Sequence, residues 1–209
     1  MKTVVTAAGG QVDDFIRPYL KQADLLIAAD GGAEPLLNLG FVPQVVIGDF
    51  DSLSPGTAAK LRQERCKLIQ VKREKDETDT ELAVSHALAQ GADDITLLGA
   101  LGGRIDHTLA NLILLASLAQ KGITAKAVSP PLTVYAVTKN LTLKGTTGDL
   151  VSVFPFQGPA SGVTETGFKY PLDDAYLDPF AVVGISNELS GCQGVIQVKE
   201  GVLLVFHYS

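Results

Sequence analysis

Two acidic stretches carry residue types that can do metal and phosphate chemistry. In Gly48-Asp49-Phe50-Asp51-Ser52, two carboxylates stand two positions apart. In an extended segment such residues point to one side, and they repel unless a cation lies between them. Oxygen donors of this kind suit Mg2+, which keeps waters of its own and often bridges to substrate phosphates. The same pair also suits a solvated loop in which Asp51 assists a turn. Lys75-Asp76-Glu77-Thr78-Asp79 is the second acidic group. Asp76 and Asp79 flank a helix cap, where the helix dipole favours an acid with or without a metal. Lys75 reads either as a phosphate contact or as a solvated lysine. Two acidic loops on one rim could jointly hold one or two metal ions.

Glycine pairs add a phosphate-binding possibility. Gly31-Gly32 follows Ala29-Asp30, and Gly102-Gly103 precedes Arg104-Ile105-Asp106-His107. Glycines permit close backbone approach and positive φ, and both pairs precede helix starts, where free N–H groups favour anions. Arg104 can add a bidentate phosphate contact. Plain tight turns account for both pairs equally simply. Neither is a GxxxxGK[ST] loop or a GxGxxG fingerprint. His107 suits a base, a ligand or a cap. Towards the C-terminus, Gly184-Ile185-Ser186-Asn187-Glu188 sets three polar residues after an apolar run.

The elements that must position these residues follow from hydrophobic periodicity. Short apolar runs at 3–7, 25–29, 45–47, 67–71, 95–98 and 124–128 read as strands buried on both faces. Helical patterns lie near 11–21, 33–39, 55–65, 79–90 and 104–121. This alternation gives a parallel sheet with right-handed crossovers, whose ligands bind at the carboxyl ends of the strands. The acidic and glycine segments fall at such ends. Ser54-Pro55 reads as a cap before a first-turn proline, and Thr78-Asp79-Thr80-Glu81 reads as a capping box.

Ser129-Pro130-Pro131 breaks the alternation. Beyond it, short strands are expected at 133–137, 140–144, 150–154, 163–166, 181–185, 195–198 and 202–206, with no long helical period. Asp173-Asp174 and Asp178-Pro179 read as turns. The fold class is therefore α/β: an N-terminal three-layer domain on a parallel sheet (1–129), then a C-terminal antiparallel β-sandwich domain (130–209).

Composition narrows the field. The chain has 209 residues, 46% of them hydrophobic and 19% charged, with a net charge of −6. The apolar content excludes disorder, and the acidic balance excludes broad electrostatic binding of nucleic acid. Neither Cys66 nor Cys192 lies in a CxxC, which argues against a zinc or disulfide scaffold and for two buried thiols. The apolar stretch 109–119, interrupted by Asn111 and Ser117, is too short to span a membrane. A soluble, cytoplasmic protein is expected.

Taken together, Ala29-Asp30-Gly31-Gly32-Ala33, Gly48-Asp49-Phe50-Asp51-Ser52, Lys75-Asp76-Glu77-Thr78-Asp79, Gly102-Gly103-Arg104-Ile105-Asp106-His107 and Ser186-Asn187-Glu188 resemble the thiamine pyrophosphokinase family, in its order and across most of the chain. The resemblance implies transfer of the pyrophosphoryl group of ATP to the hydroxyl of thiamine, giving thiamine diphosphate and AMP. It implies Mg2+, ATP as co-substrate, and a homodimer with thiamine between the α/β domain of one subunit and the β domain of the other. By motif, Asp49, Asp51, Asp76 and Asp79 correspond to catalytic, metal-site residues. Asp30, Gly31, Gly32, Lys75, Gly103, Arg104 and Asp106 correspond to nucleotide-site residues. Ser186 and Asn187 correspond to the thiamine pocket. Some relatives set a tryptophan against thiamine; this chain has none, and Tyr170 is the aromatic candidate by context. Two rival readings are a metal-dependent nucleotide-sugar transferase and a noncatalytic thiamine- or nucleotide-binding regulator.

Overall fold

The computed structural model describes residues 1–7, 10 and 12–209. Met1–Asn111 with Ile123–Ser129 form one compact unit, and Leu112–Gly122 with Pro130–Ser209 form the other. The last crossing between units falls between Ser129 and Pro130, where the periodicity changes. The stretch Leu112–Gly122, read from sequence with the first domain, clusters with the second unit. Within that unit the Thr138 hydroxyl donates to the Ala119 carbonyl.

In the first unit the chain runs β1 (Lys2–Thr6), α1 (Arg17–Gln22), β2 (Leu25–Ala29), α2 (Ala33–Asn38), β3 (Val45–Gly48), α3 (Pro55–Gln63), β4 (Lys67–Gln70), α4 (Asp79–Ala89), β5 (Asp94–Leu98), α5 (Ile105–Gln120) and β6 (Thr124–Ser129). A helix was expected from residue 11. Residue 11 lies outside the described residues, and a 3-10 turn at Asp14–Ile16 leads into α1. The strands pair in parallel in the order β6-β5-β1-β2-β3-β4. Alternate residues of these strands face opposite sides. Val4, Leu26, Ala28 and Val46 pack with Leu20 of α1, Leu36 of α2 and Leu61 of α3. Helix α4 lies against β1, β2 and β3 and buries Ala83, Val84 and Ala87. The expected caps are present: Thr57 N donates to Ser54 Oγ and Glu81 N to Thr78 Oγ1, both at 3.1 Å. The direction of strand order changes between β1 and β5. A crevice opens at such a switch point, at the carboxyl ends of the strands.

The second unit carries β7 (Leu132–Val137), β8 (Asn140–Lys144), β9 (Leu150–Pro155), β10 (Ala160–Thr166), β11 (Leu172–Leu177), β12 (Asn187–Glu188), β13 (Gln193–Gln197) and β14 (Leu203–Tyr208). They pair antiparallel in two layers, the run β12-β9-β14-β7 and the four-stranded sheet β11-β10-β13-β8. Val151, Val153, Leu203 and Val205 of the first meet Leu143, Val163, Leu177 and Ile196 of the second in one buried core. This is the expected sandwich, with two local corrections. Residues 181–185, expected as a strand, are irregular, and Val182, Val183 and Ile185 are exposed. Asp173-Asp174, expected as a turn, lies within β11. Its pairing with β10 is broken by register shifts and Asp174 sits at φ +48°. An acidic, bulged edge strand of this kind resists pairing with other chains and hides its period-2 pattern. Both cysteines are free; Cys66 is half-buried but Cys192 is exposed, contrary to the expected burial. Among the described residues, no helix is long and apolar enough to cross a membrane.

Candidate active site

The loops after β2, β3 and β5 and the cap of α4 surround a cavity of about 580 Å³ in the first unit. Its wall includes Asp30, Asp49, Lys75, Asp79, Arg104 and Asn111. Ala7 after β1 and Gly99-Ala100 after β5 also line it, which sets the cavity at the switch point of the sheet.

The acids at its edge converge through strained turns. Asp30, buried, leaves β2 at φ +44°, and Phe50 leaves β3 at φ +67°. Non-glycine residues seldom adopt such angles. The Phe50 ring packs against the core, and Phe50 N donates to Asp30 Oδ1 at 3.1 Å. Asp51 N donates to Asp49 Oδ1 at 3.1 Å, and that bond holds the Asp49 carboxyl below its ordinary pKa. One oxygen from each of Asp30, Asp49 and Asp51 lies within 4.8 Å of the others. Sequence reasoning paired Asp49 with Asp51 by strand alternation; a left-handed turn at Phe50 unites them instead. Gly48 is required beside this turn, because a Cβ there would lie 2.7 Å from Asp30 Cβ. An all-carboxylate donor set fits a hard divalent cation such as Mg2+.

The other sequence-identified acids lie differently. Asp79 receives a hydrogen bond from Lys75 Nζ at 2.6 Å. Its neighbours Glu77 and Thr78 line the cavity, whereas Asp76 is exposed. Asp106 is held by Arg104 Nε at 3.1 Å and by Arg104 Nη2 in a bidentate pair. That pairing brings the Asp106 carboxyl down to about 2. Arg73 Nη1 lies 3.5 Å from Asp51. Each cation at the cavity, Arg73, Lys75 and Arg104, is therefore paired with an acid.

The glycine pairs divide in role. Gly32 is buried where a Cβ would sit 2.0 Å from the Thr6 carbonyl oxygen, so close packing requires it. Gly31 lines a separate cavity of about 680 Å³, with Val12, Glu34 and Asn38. Gly102 and Gly103 line the acidic cavity at φ +97° and +64°. Two side chains of α5 pin their loop: Thr108 Oγ1 accepts from Gly102 N at 3.1 Å, and Asn111 Nδ2 donates to the Ala100 carbonyl at 2.7 Å. Asn111, buried, was missed from sequence as a mere break in an apolar run. A polar residue four positions after His107, on the same helix face, was the available signal.

In the second unit, Ser186 is exposed at φ +56° and its N–H donates to Ser152 Oγ. Asn187 begins β12 and is buried; Tyr170 is 61% exposed. The Asn187 amide binds both backbone polar groups of Tyr170. Asn187 Nδ2 also donates to Glu165 Oε2 at 3.0 Å. Glu165 is 1% exposed, and its Oε1 lacks a partner among the described residues. Burial pushes its carboxyl up to about 6, against a lowering effect of the Asn187 bond. Glu165 gave no local signal: it pairs with Leu172 of β11 and Ile196 of β13, and Asn187 meets its carboxylate, all distant in sequence.

Comparison with known proteins finds two family domains in order along the chain, the first of which also covers Leu112–Gly122. Residues 16–127 match the thiamin pyrophosphokinase catalytic domain, and residues 137–203 match the thiamin pyrophosphokinase vitamin B1 binding domain. The thiamine pyrophosphokinase of Bacillus subtilis is 31% identical over 98% of both chains. A solved thiamine pyrophosphokinase structure from Bacillus subtilis superposes with a TM-score of 0.90 at 27% identity, covering 100% of this chain and 99% of that one. The corresponding structure from Geobacillus thermodenitrificans gives 0.85 at 29% identity, covering 100% and 98%. With both domains matched in order and a full-length relative above 30% identity, the chain belongs to the thiamin pyrophosphokinase family.

Proposed function

We propose that this chain is a thiamine diphosphokinase, which transfers the pyrophosphoryl group of ATP to the hydroxyl of thiamine and releases AMP. The observation that carries this reading is the convergence of Asp30, Asp49 and Asp51 beside a cavity that also holds Arg73, Lys75 and Arg104. Such transfer asks little covalent chemistry of the protein; positioning and charge neutralisation supply most of the catalysis.

Asp30, Asp49 and Asp51 would hold Mg2+. When bound, the ion offsets negative charge on the transferred oxygens and favours deprotonation of the attacking hydroxyl. The basic residues change partners as the triphosphate enters. Arg73–Asp51 and Arg104–Asp106 are exposed pairs, and such pairs are cheap to exchange. Arg73 turning to phosphate frees Asp51 for the metal. Lys75, less exposed, keeps Asp79 in place while it offers its remaining ammonium protons. Gly103 lets backbone approach the nucleotide closely.

Tyr170 and Ser186 form the thiamine-facing part of the second unit. An exposed ring suits a cationic thiazolium, by cation–π attraction. The protein acts as a homodimer, each site completed by a second copy. The exposed apolar run Phe180, Val182, Val183 and Ile185, next to Ser186, supports this, since contiguous apolar surface marks interaction sites.

A coupled assay for AMP from ATP, Mg2+ and thiamine tests the reading. AMP formed only with thiamine, and abolished by EDTA, is the expected result. Turnover of a sugar nucleotide instead, or thiamine binding without turnover, would replace it with a transferase or a regulator.

A further inference from the structure

The Asn187 amide is saturated. Nδ2 donates to Glu165 Oε2 at 3.0 Å and to the Tyr170 carbonyl at 2.8 Å. Oδ1 accepts from Tyr170 N at 3.0 Å and from Glu188 N at 2.9 Å. A primary amide has two N–H donors and two acceptor lone pairs, so no capacity remains for a substrate. The partners also fix which end is which: two backbone N–H groups demand the oxygen, and a carboxylate with a carbonyl demands the nitrogen. Asn187 is 5% exposed, as befits a group that faces protein on every side.

Tyr170 gains a rigid backbone from this arrangement. Its N–H and its carbonyl are both tied to one buried side chain, while its ring stays open to solvent. Lys169, the preceding residue, is tied to the same strand: its N–H donates to the Glu188 carbonyl and its Nζ to Glu188 Oε1 at 3.0 Å. The Lys169 ammonium lies 5.5 Å from the centre of the Tyr170 ring. Beneath the clamp, Glu165 supplies the acceptor that turns the Asn187 amide into this orientation.

We propose that Glu165 and Asn187 are a positioning pair that holds the Tyr170 ring ready for thiamine, and that the Asn187 side chain makes no contact with substrate. This rests on the reading of Tyr170 as the aromatic neighbour of thiamine. It changes the role that family resemblance gives Asn187, from pocket ligand to support. A fixed ring loses less conformational freedom on binding than a mobile one, so its effect falls on substrate affinity.

A polarity swap in the full-length enzyme separates the two roles. Asn187→Asp sets two carboxylates against each other and strips the Tyr170 carbonyl of its donor. It should raise the KM for thiamine about tenfold, the scale expected for a buried polar group left unpaired, with the KM for ATP unchanged. Adding Glu165→Gln removes the repulsion and restores a donor between positions 165 and 187, and should recover part of the loss, the Tyr170 carbonyl still lacking its donor. If Asn187 touched thiamine directly, Glu165→Gln could not rescue it; a double variant no better than the single one overturns the proposal, as does a single variant with unchanged thiamine KM. Should Asn187→Asp fail to fold, Glu165→Leu takes its place. It removes the acceptor of Asn187 Nδ2 and should raise the thiamine KM about threefold or more; an unchanged value overturns the proposal. Tyr170→Ala tests the underlying reading separately. A thiamine KM unmoved by Tyr170→Ala means that Tyr170 is not the ring thiamine meets, and it overturns the proposal through that premise. A KM raised by Tyr170→Ala without rescue in the double variant sinks the positioning role alone.

Discussion

The acidic cavity of the first unit and the amide cluster of the second solve opposite problems. Asp30, Asp49 and Asp51 bring like charges within 4.8 Å of one another, and the exposed cations around them are only loosely held. Asn187 and Glu165 instead bury a polar network in which every capacity of the amide is used. The first arrangement is costly without a ligand and is therefore poised to bind one. The second saturates its amide without a ligand and is suited to hold a shape. Polar residues in a substrate region thus do two kinds of work, and the count of free hydrogen-bonding groups tells them apart.

The largest expected effect breaks the first arrangement. Asp49→Asn keeps the size of the side chain but removes a charge from the cluster. It should lower kcat by about a thousandfold, comparable to loss of one strong electrostatic stabiliser, with an unchanged circular-dichroism spectrum. Near-normal turnover at saturating Mg2+ would remove Asp49 from the metal-holding role. Next comes a geometric test of the same cluster. Gly48→Ala forces a methyl towards Asp30 Cβ, at 2.7 Å before relaxation. Overpacking of this kind costs about 1–3 kcal/mol. A loss on the order of a hundredfold in kcat is expected at constant Asp content. Full activity would show that Asp30 can move without consequence.

The smallest effect sharpens the contrast from the other side. Glu165 has its pKa raised by burial, to about 6 from 4.5. Between these values the folded state binds more protons than the unfolded state, so stability falls as pH rises through this window. At 1.36 kcal/mol per pH unit, the decline amounts to about 2 kcal/mol. Urea unfolding from pH 4 to 7 should show this decline in the parent, reduced by about that amount in Glu165→Gln. Parallel profiles would mean that Glu165 does not titrate in this range. Asp49, under the Asp51 N–H, and Asp106, under Arg104, go down instead. Those groups lend stability that is lost as pH falls through their lowered values.

Local patterns made much of this visible in the sequence. Ser54-Pro55 and Thr78-x-x-Glu81 placed two helix starts because a cap is decided by side chains a few residues apart. The apolar runs of β1, β2, β3 and β5 were legible because both faces are buried, whereas edge strand β4 is only half-buried. Strand β11 was not, since its exposed, bulged edge suppresses alternation and its acids imitate a turn. The region 181–185 misled in the opposite sense: its apolar side chains mimic a buried strand but face outward. Within the candidate site, motif order pointed to Asp49 and Asp51. Asp30 joins them because parallel strands β2 and β3 lie side by side, a fact of tertiary structure. Glu165 and Asn111 owe their importance to partners 22 and 11 residues away, beyond the reach of local periodicity.

The left-handed backbone at Asp30 bears on how this enzyme could drift or be engineered. Glycine would occupy φ +44° with roughly 1 kcal/mol less conformational strain than a typical L-residue. That relief is offset by loss of the Asp30 Oδ1 acceptor for Phe50 N, so glycine would relax the backbone while releasing the turn that brings Asp49 and Asp51 together. Positions where relaxed geometry and chemistry disagree record what function has demanded of the chain. With the metal-holding role proposed for it, Asp30 would be such a position, and stabilisation campaigns on this scaffold should leave it untouched.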